Sequence, residues 1–125
     1  MQQFPETSFL LSAGDQINDK NSEEEDQYVG FLTPDAMRSL SLATNVGNHD
    51  SGSQKYTEHF NMPNVDSLGQ SNNTGDGSGD YWFTYNNVLF LSLNSNNVQT
   101  AEHKAFMEKV LKEHGSEARW TVVSF

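Results

Sequence analysis

The chain has 125 residues, seventeen Asp and Glu against seven Lys and Arg, a formal net charge of −10 and no cysteine. So negative a charge disfavours binding to nucleic acid or anionic lipid, which are themselves negative. The absence of cysteine excludes disulfides, thiolate metal ligands and cysteine nucleophiles. The length suits about one domain, although the hydrophobic fraction of 34% is below the roughly 45–50% usual in soluble domains.

No segment of the sequence reaches the roughly eighteen consecutive apolar residues of a membrane-spanning helix. A signal peptide is not indicated either, because residues 1–6 contain no basic side chain and the apolar run at residues 9–11 is too short. We therefore predict no membrane segment. An exported protein, secreted or held at the cell surface, would carry its signal outside this sequence, so the compartment stays open.

Two predicted strands, each ending at a glycine and a polar turn, organise the first half of the chain. A strand, intervening helices and a second strand predict a βαβ crossover with parallel strands, and hence an α/β fold. The predicted elements are a strand over residues 8–13, helices over residues 23–31 and 35–40, and a strand over residues 41–46.

The second half begins with a long polar insert, residues 51–80, rich in Ser, Asn, Gly and Asp. A loop of this length in a compact domain is usually functional. Asn86 and Asn87 then separate two β-rich runs, which predicts a hairpin. An amphipathic helix is predicted over residues 101–114. The last predicted element is a buried strand over residues 120–125, which either closes the sheet or continues into a longer domain.

Polar side chains that can bind a metal follow both strands of the first half. Asp15 comes directly after one glycine, and Asn48, His49 and Asp50 come directly after the other. In α/β sheets, ligands bind at the carboxyl ends of the strands. Oxygen ligands and imidazole suit Zn, Mn or Fe, and a carboxylate can bridge two ions. Either turn taken alone is more often a structural turn than a ligand set.

These turns resemble two motifs of the calcineurin-like metallophosphoesterase family: Gly-Asp at Asp15 and, 33 positions later, Gly-Asn-His-Asp at Asn48. Residues 81–96 resemble the branch similar to purple acid phosphatases. Residues 119–125 resemble the approach to a Val-x-x-His motif, with Val123 as its valine. The resemblance implies a four-layer α/β/β/α sandwich with mixed sheets. Residues 1–125 would be a single incomplete catalytic domain of it, without the first aspartate motif and the C-terminal histidines.

The resemblance implies a role for each residue of the two turns. Asp15 would bridge two metal ions, and Asn48 would ligate one of them. His49 would protonate the leaving group or stabilise its charge, and Asp50 would orient His49. Two divalent or trivalent ions of Fe, Zn or Mn would supply a hydroxide that attacks phosphorus in line. The implied partner is a small phosphate monoester or diester.

Other polar residues receive more modest predictions. Asn18 stands where purple members of the family carry a tyrosine and many others an aspartate, so no tyrosinate–iron colour is expected. Asn18 and Asp19 are predicted to be turn residues or supports of the metal ligands. His59, in the polar insert, is a candidate for the mouth of the substrate site. His103 and His114 are expected to face solvent on the last helix.

The family's ligand set is incomplete in this sequence, and metal affinity depends on ligand number, so the 125-residue chain alone is predicted to be inactive. Two functions of other classes remain open. One is a non-catalytic α/β module that binds a carbohydrate or a protein partner through the insert and exposed aromatic residues. The other is an acidic calcium-binding surface protein. The aromatic cluster at residues 81–83 is predicted to pack in the sheet rather than stack on a nucleoside.

Overall fold

A computed structural model describes residues 4–20, 23–70 and 78–125, and within these ranges the fold is mixed α/β with two small sheets and four helices. A 3₁₀ turn at Gly115–Glu117 follows the last helix. In chain order the elements are β1 (Phe9–Ser12), α1 (Glu24–Leu32), α2 (Asp35–Ser39), β2 (Ser41–Thr44), α3 (Gln54–His59), β3 (Tyr81–Tyr85), β4 (Val88–Ser92), α4 (Thr100–His114) and β5 (Trp120–Ser124).

The first sheet consists of β1 and β2, which are parallel, with Phe9 opposite Ser41 and Ser12 opposite Thr44. The chain passes through α1 and α2 between them, so the predicted βαβ crossover is confirmed. One further bond, from the Asn45 amide to the Ser12 carbonyl at 2.9 Å, extends the pairing beyond the strands. Both strands therefore deliver their polar turns to the same end of the sheet.

The second sheet has the order β3-β4-β5 and is mixed. β3 and β4 form the predicted antiparallel hairpin, whose turn residues Asn86 and Asn87 have φ values of 48° and 62°. Left-handed backbone at both turn positions matches the twist of the hairpin, and asparagine tolerates it better than most residues. β4 and β5 are parallel and are connected through α4, which makes a second crossover.

Among the described residues, two apolar clusters and a ring that bridges the two sheets form much of the interior. The bridging ring is Phe9, which contacts Phe83, Tyr85 and Phe90 of the second sheet edge to face, at centroid distances of 5.4–5.8 Å. The buried residues of the first cluster come from α1, from α3 and the residue after it, and from the turns after β1 and β2: Ile17, Tyr28, Val46, Tyr56 and Phe60. Those of the second come from β4 and α4: Leu89, Leu91, Phe106 and Val110.

The polar insert contains a helix that sequence analysis did not predict. α3 begins after Ser53, whose hydroxyl accepts from the Lys55 amide at 3.1 Å. Tyr56 and Phe60 lie four positions apart and are both buried, because this spacing puts them on one side of a helical turn. The insert therefore supplies part of the core.

The strand predicted over residues 120–125 forms, but its predicted burial is wrong. Trp120 is 65% and Phe125 is 74% exposed. β5 lies at the edge of the three-stranded sheet and, within the described ranges, pairs with β4 alone. Its apolar side chains therefore have neighbours mainly on one side. Among the described helices, none is long and apolar enough to cross a membrane.

Candidate functional site

Two glycines bring the turns after β1 and β2 into contact. Gly14 has a φ of +112°, and a Cβ atom there would lie 2.8 Å from the Gly47 Cα atom. A Cβ atom on Gly47 would overlap the backbone of Asp15. Only glycine permits so close a backbone approach. The glycines that end the two strands are therefore what allows the polar turns to meet.

The contact between the turns pairs two residues that the sequence predicted to act together. The His49 amide donates to Asp15 Oδ1 at 3.1 Å. Asp15 is exposed and His49 is half-buried, and both line a cavity of about 300 Å³ with Gln16, Ile17 and Asn18. Asn48 is exposed in the same turn, outside the lining of that cavity.

The imidazole of His49 is held by a backbone carbonyl. Its Nδ1 contacts the carbonyl oxygen of Asn18, so Nδ1–H donates to that oxygen. Gln27 of α1 in turn secures the Asn18 turn: its Oε1 accepts from the Asn18 amide at 2.7 Å and the Asp19 amide at 3.3 Å. Asn18 and Asp19 thus contribute to the site through their backbone.

Asp50 occupies a different place from the one that the resemblance implies. Its side chain is fully buried: Oδ2 accepts from the amides of Gln16 at 3.2 Å and Gly47 at 3.1 Å, and Oδ1 accepts from the Tyr28 hydroxyl at 3.1 Å. This corrects the expectation that Asp50 orients the His49 ring. Burial raises the pKa of Asp50 against the opposing effect of these hydrogen bonds. Burial also raises the pKa of Tyr28, which keeps its hydroxyl a donor.

The buried side-chain amides of Gln16 and Asn45, which sequence analysis did not identify, hold the turns in place through hydrogen bonds to the strands. Gln16 Nε2 donates to Ser12 Oγ at 2.9 Å and to the Asn45 carbonyl at 3.3 Å. Asn45 Oδ1 accepts from Ser92 Oγ at 2.6 Å and from Ser124 Oγ at 3.0 Å, which joins the ends of β4 and β5 to the first sheet. No residue pattern marks a single structural amide in a sequence, so no signal could have identified them.

His59 does not lie at the mouth of the cavity. Its ring packs on Tyr28 with centroids 4.9 Å apart, and its Nε2 is 3.2 Å from Glu25 Oε1 of α1. Because α3 lies against α1, its last residue is directed to that helix. His59 therefore contacts α1 and does not line the cavity where it was expected.

The predicted exposure of the two helix histidines is also corrected. His103 Nδ1 is 2.7 Å from Asp80 Oδ2, and that carboxylate is fully buried. The ring of His114 stacks on Trp82 with centroids 4.0 Å apart. Both histidines lie against the segment that leads into and through β3.

The side chains at the turns are of types that bind metal ions, but few of them are present. Asp15 offers a carboxylate and Asn48 an amide oxygen, both exposed, and hard cations prefer such oxygens. Among the described residues, no group of three or more His, Cys, Asp and Glu could hold a metal ion. The arrangement brings a carboxylate and an imidazole to the same cavity at the carboxyl ends of β1 and β2. Comparisons with family models, curated proteins and solved structures found no match.

Proposed function

We propose that the chain is part of a dinuclear-metal phosphoesterase that hydrolyses a small phosphate monoester or diester. The observation that carries this proposal is the bond between Asp15 Oδ1 and the His49 amide at the carboxyl ends of two parallel strands. A carboxylate and an imidazole at such an end suit a metal-assisted hydrolysis. The proposal includes a four-layer α/β/β/α sandwich, supported by helices packed on each sheet and by Phe9 between the sheets.

In the proposed site, each residue has a physical task. Asp15 and Asn48 hold the ions, which when bound would neutralise charge that develops on the phosphoryl group. His49, whose Nδ1–H donates to the Asn18 carbonyl, would protonate the leaving group from Nε2 or stabilise its developing charge. Asp50 fixes the two turns to each other, and Gln27 fixes the Asn18 turn.

Metal titration tests the binding half of the proposal. We expect Mn²⁺ to bind this chain weakly at most in calorimetry, because few ligands are in place, and Asp15→Asn to abolish what binding there is, because the substitution removes the carboxylate from the turn. Asp35→Asn is the matched control, since the Asp35 side chain is 91% exposed on α2 and its loss should leave binding unchanged. Binding that Asp15→Asn leaves intact would contradict the proposed site. The same titration with Ca²⁺ tests the calcium-binding alternative.

An assay with p-nitrophenyl phosphate and its bis ester tests the catalytic half. With so few ligands in place, we expect Mn²⁺ or Zn²⁺ to give the 125-residue chain no more hydrolysis than the His49→Ala variant. Turnover above that variant would contradict the predicted inactivity of this chain and would directly support the phosphoesterase assignment.

One observation favours a carbohydrate-binding module as a second candidate. A cavity of about 360 Å³ lies between the sheets, and Tyr81, Phe83 and Tyr85 line it without any charged side chain. Aromatic walls with a few polar groups suit neutral ligands. If this candidate is right, neutral oligosaccharides should change the intrinsic fluorescence, Tyr85→Ala should abolish the change, and His49→Ala should not. An unchanged fluorescence across such a panel would exclude it.

A further inference from the structure

The ring of His103, in the first turn of α4, has a hydrogen-bond acceptor at each nitrogen. Nδ1 is 2.7 Å from Asp80 Oδ2, and Nε2 is 2.8 Å from the Asn97 carbonyl oxygen. The Asp80 side chain is fully buried and that of His103 is 12% exposed. Neutral imidazole has one N–H and can satisfy only one of these acceptors, whereas imidazolium satisfies both.

The charges around His103 also favour its protonated form. Burial acts to lower the pKa of His103, but the hydrogen bonds to Asn97 and Asp80, with the charges of Asp80 and Glu102, outweigh it and raise the pKa. Of the lysines of α4, Lys104 lies 3.7 Å from Glu108 and Lys109 is paired with Asp66 at 2.8 Å. The charged neighbours from the insert and from α4 are therefore dominated by carboxylates.

The Asp80–His103 pair sits at the centre of a network that fastens part of the insert to α4. We call residues 66–70 and 78–80 the docking segment. The Asp80 amide donates to the Leu68 carbonyl at 2.9 Å, and its carbonyl accepts from the Asp66 amide at 2.8 Å. The Gly69 amide donates to Glu102 Oε2 at 3.1 Å. His103 and Glu102, neighbours on one helical turn, thus both hold the docking segment.

We propose that protonated His103 is a pH-sensitive lock that holds the docking segment against α4. When the ring loses its proton, it can no longer donate to both Asp80 Oδ2 and the Asn97 carbonyl, so one of these buried oxygens loses the donor that His103 supplies, which weakens the docking. A group whose pKa is higher in the folded than in the unfolded state stabilises the folded state. For histidine this stabilisation is complete below the unfolded-state pKa of about 6.5, and it is lost as the pH rises to the folded-state pKa. The docking segment therefore loosens on the alkaline side.

Hydrogen exchange followed by NMR between about pH 5.5 and pH 8.5 tests the lock in the whole chain. Protection factors of the Asp80 and Gly69 amides should fall by about tenfold per pH unit between about 6.5 and the pKa of His103, since one proton is released. The protection factor of the Asn45 amide, which is bonded to Ser12 in the first sheet, should show no such fall with pH. The His103 ring should titrate above about 6.5 in the same samples.

Two variants separate the lock from general stability. His103→Gln should remove the pH-dependent fall in protection and leave the docking segment weakly protected at every pH. His114→Gln, on the same helix but stacked on Trp82, should keep it. A pH-dependent fall that persists in His103→Gln overturns the proposal, and so does a wild-type ring that titrates at or below the ordinary histidine value. If His103→Gln does not fold, the wild-type titration and exchange together decide.

Discussion

The carboxylate of Asp50 joins three parts of the chain at one buried point: the turn after β1, the turn after β2 and α1. Asparagine can reproduce all of its bonds. Its Oδ1 can accept from the Gln16 and Gly47 amides while its Nδ2 donates to the Tyr28 hydroxyl, which can act as an acceptor. Alanine reproduces none of them.

We therefore expect Asp50→Ala to lower the free energy of unfolding by about 3 kcal/mol or more, because each buried donor left without a partner costs about 1–3 kcal/mol. Asp50→Asn should cost only about 1 kcal/mol. Urea denaturation at neutral pH measures both. Equal losses in the two variants would show that the carboxylate's bonds do not stabilise the turns.

At the scale of single residues, the sequence identified the candidate site residues that belong to a recognisable motif. Asp15 and His49 follow glycines at two strand ends, and parallel pairing brings such ends together. The supports Gln16, Gln27 and Asn45 were not predictable, since each acts through a contact distant in sequence. Asp50 was identified, but its role was not, because a motif does not reveal whether a side chain faces the cavity or the interior.

At the scale of elements, local signals were sufficient for the crossover and the hairpin, because glycines and the Asn86–Asn87 pair mark their boundaries. They were insufficient for α3, because Tyr56 in the helix and Phe60 directly after it are buried aromatic residues within a polar segment. The apolar pattern of β5 indicated a strand, but hydrophobicity cannot specify which element covers it. In both cases the sequence does not show which other elements pack against the segment in the folded chain.

Two glycines in different elements should respond oppositely to alanine. Gly47→Ala should lower the free energy of unfolding by about 3 kcal/mol, because the new Cβ overlaps the Asp15 backbone and forces the turns apart. Gly30→Ala should raise it by about 0.5–1 kcal/mol, since Gly30 is in α1 with open space around it. Thermal or urea unfolding measures both. Destabilisation by Gly30→Ala, or tolerance of Gly47→Ala, would contradict the packing described.

At the scale of the whole molecule, an uncharged edge strand coexists with a strongly negative chain. Residues 120–125 contain no charged side chain, and Val122 and Val123 are 38% and 42% exposed. An exposed apolar edge without charged residues favours pairing between copies, whereas the net charge of −10 opposes it. The balance between these two effects depends on salt.

We expect self-association that increases between about 0.1 M and 1 M salt, as the screening length falls from about 10 Å to about 3 Å. Val123→Lys should weaken the association by about tenfold or more, because it places a charge on the edge. Sedimentation velocity over a concentration series measures this, and Thr57→Lys on α3 is the exposed control. A chain that stays monomeric at high salt would refute the expectation.

The side chain of Asn45 accepts from Ser124, 79 residues further along the chain. At synthesis rates of about 5–20 residues per second, about 4–16 s separate the appearance of these two partners on the ribosome. Ser92 of β4 becomes available to Asn45 earlier, 47 residues after it, so during the rest of that interval the turn after β2 lacks only its bond to β5. The last of the hydrogen bonds that join the strand ends can therefore form only once Ser124 has been synthesised, well after the turns that carry Asp15 and His49.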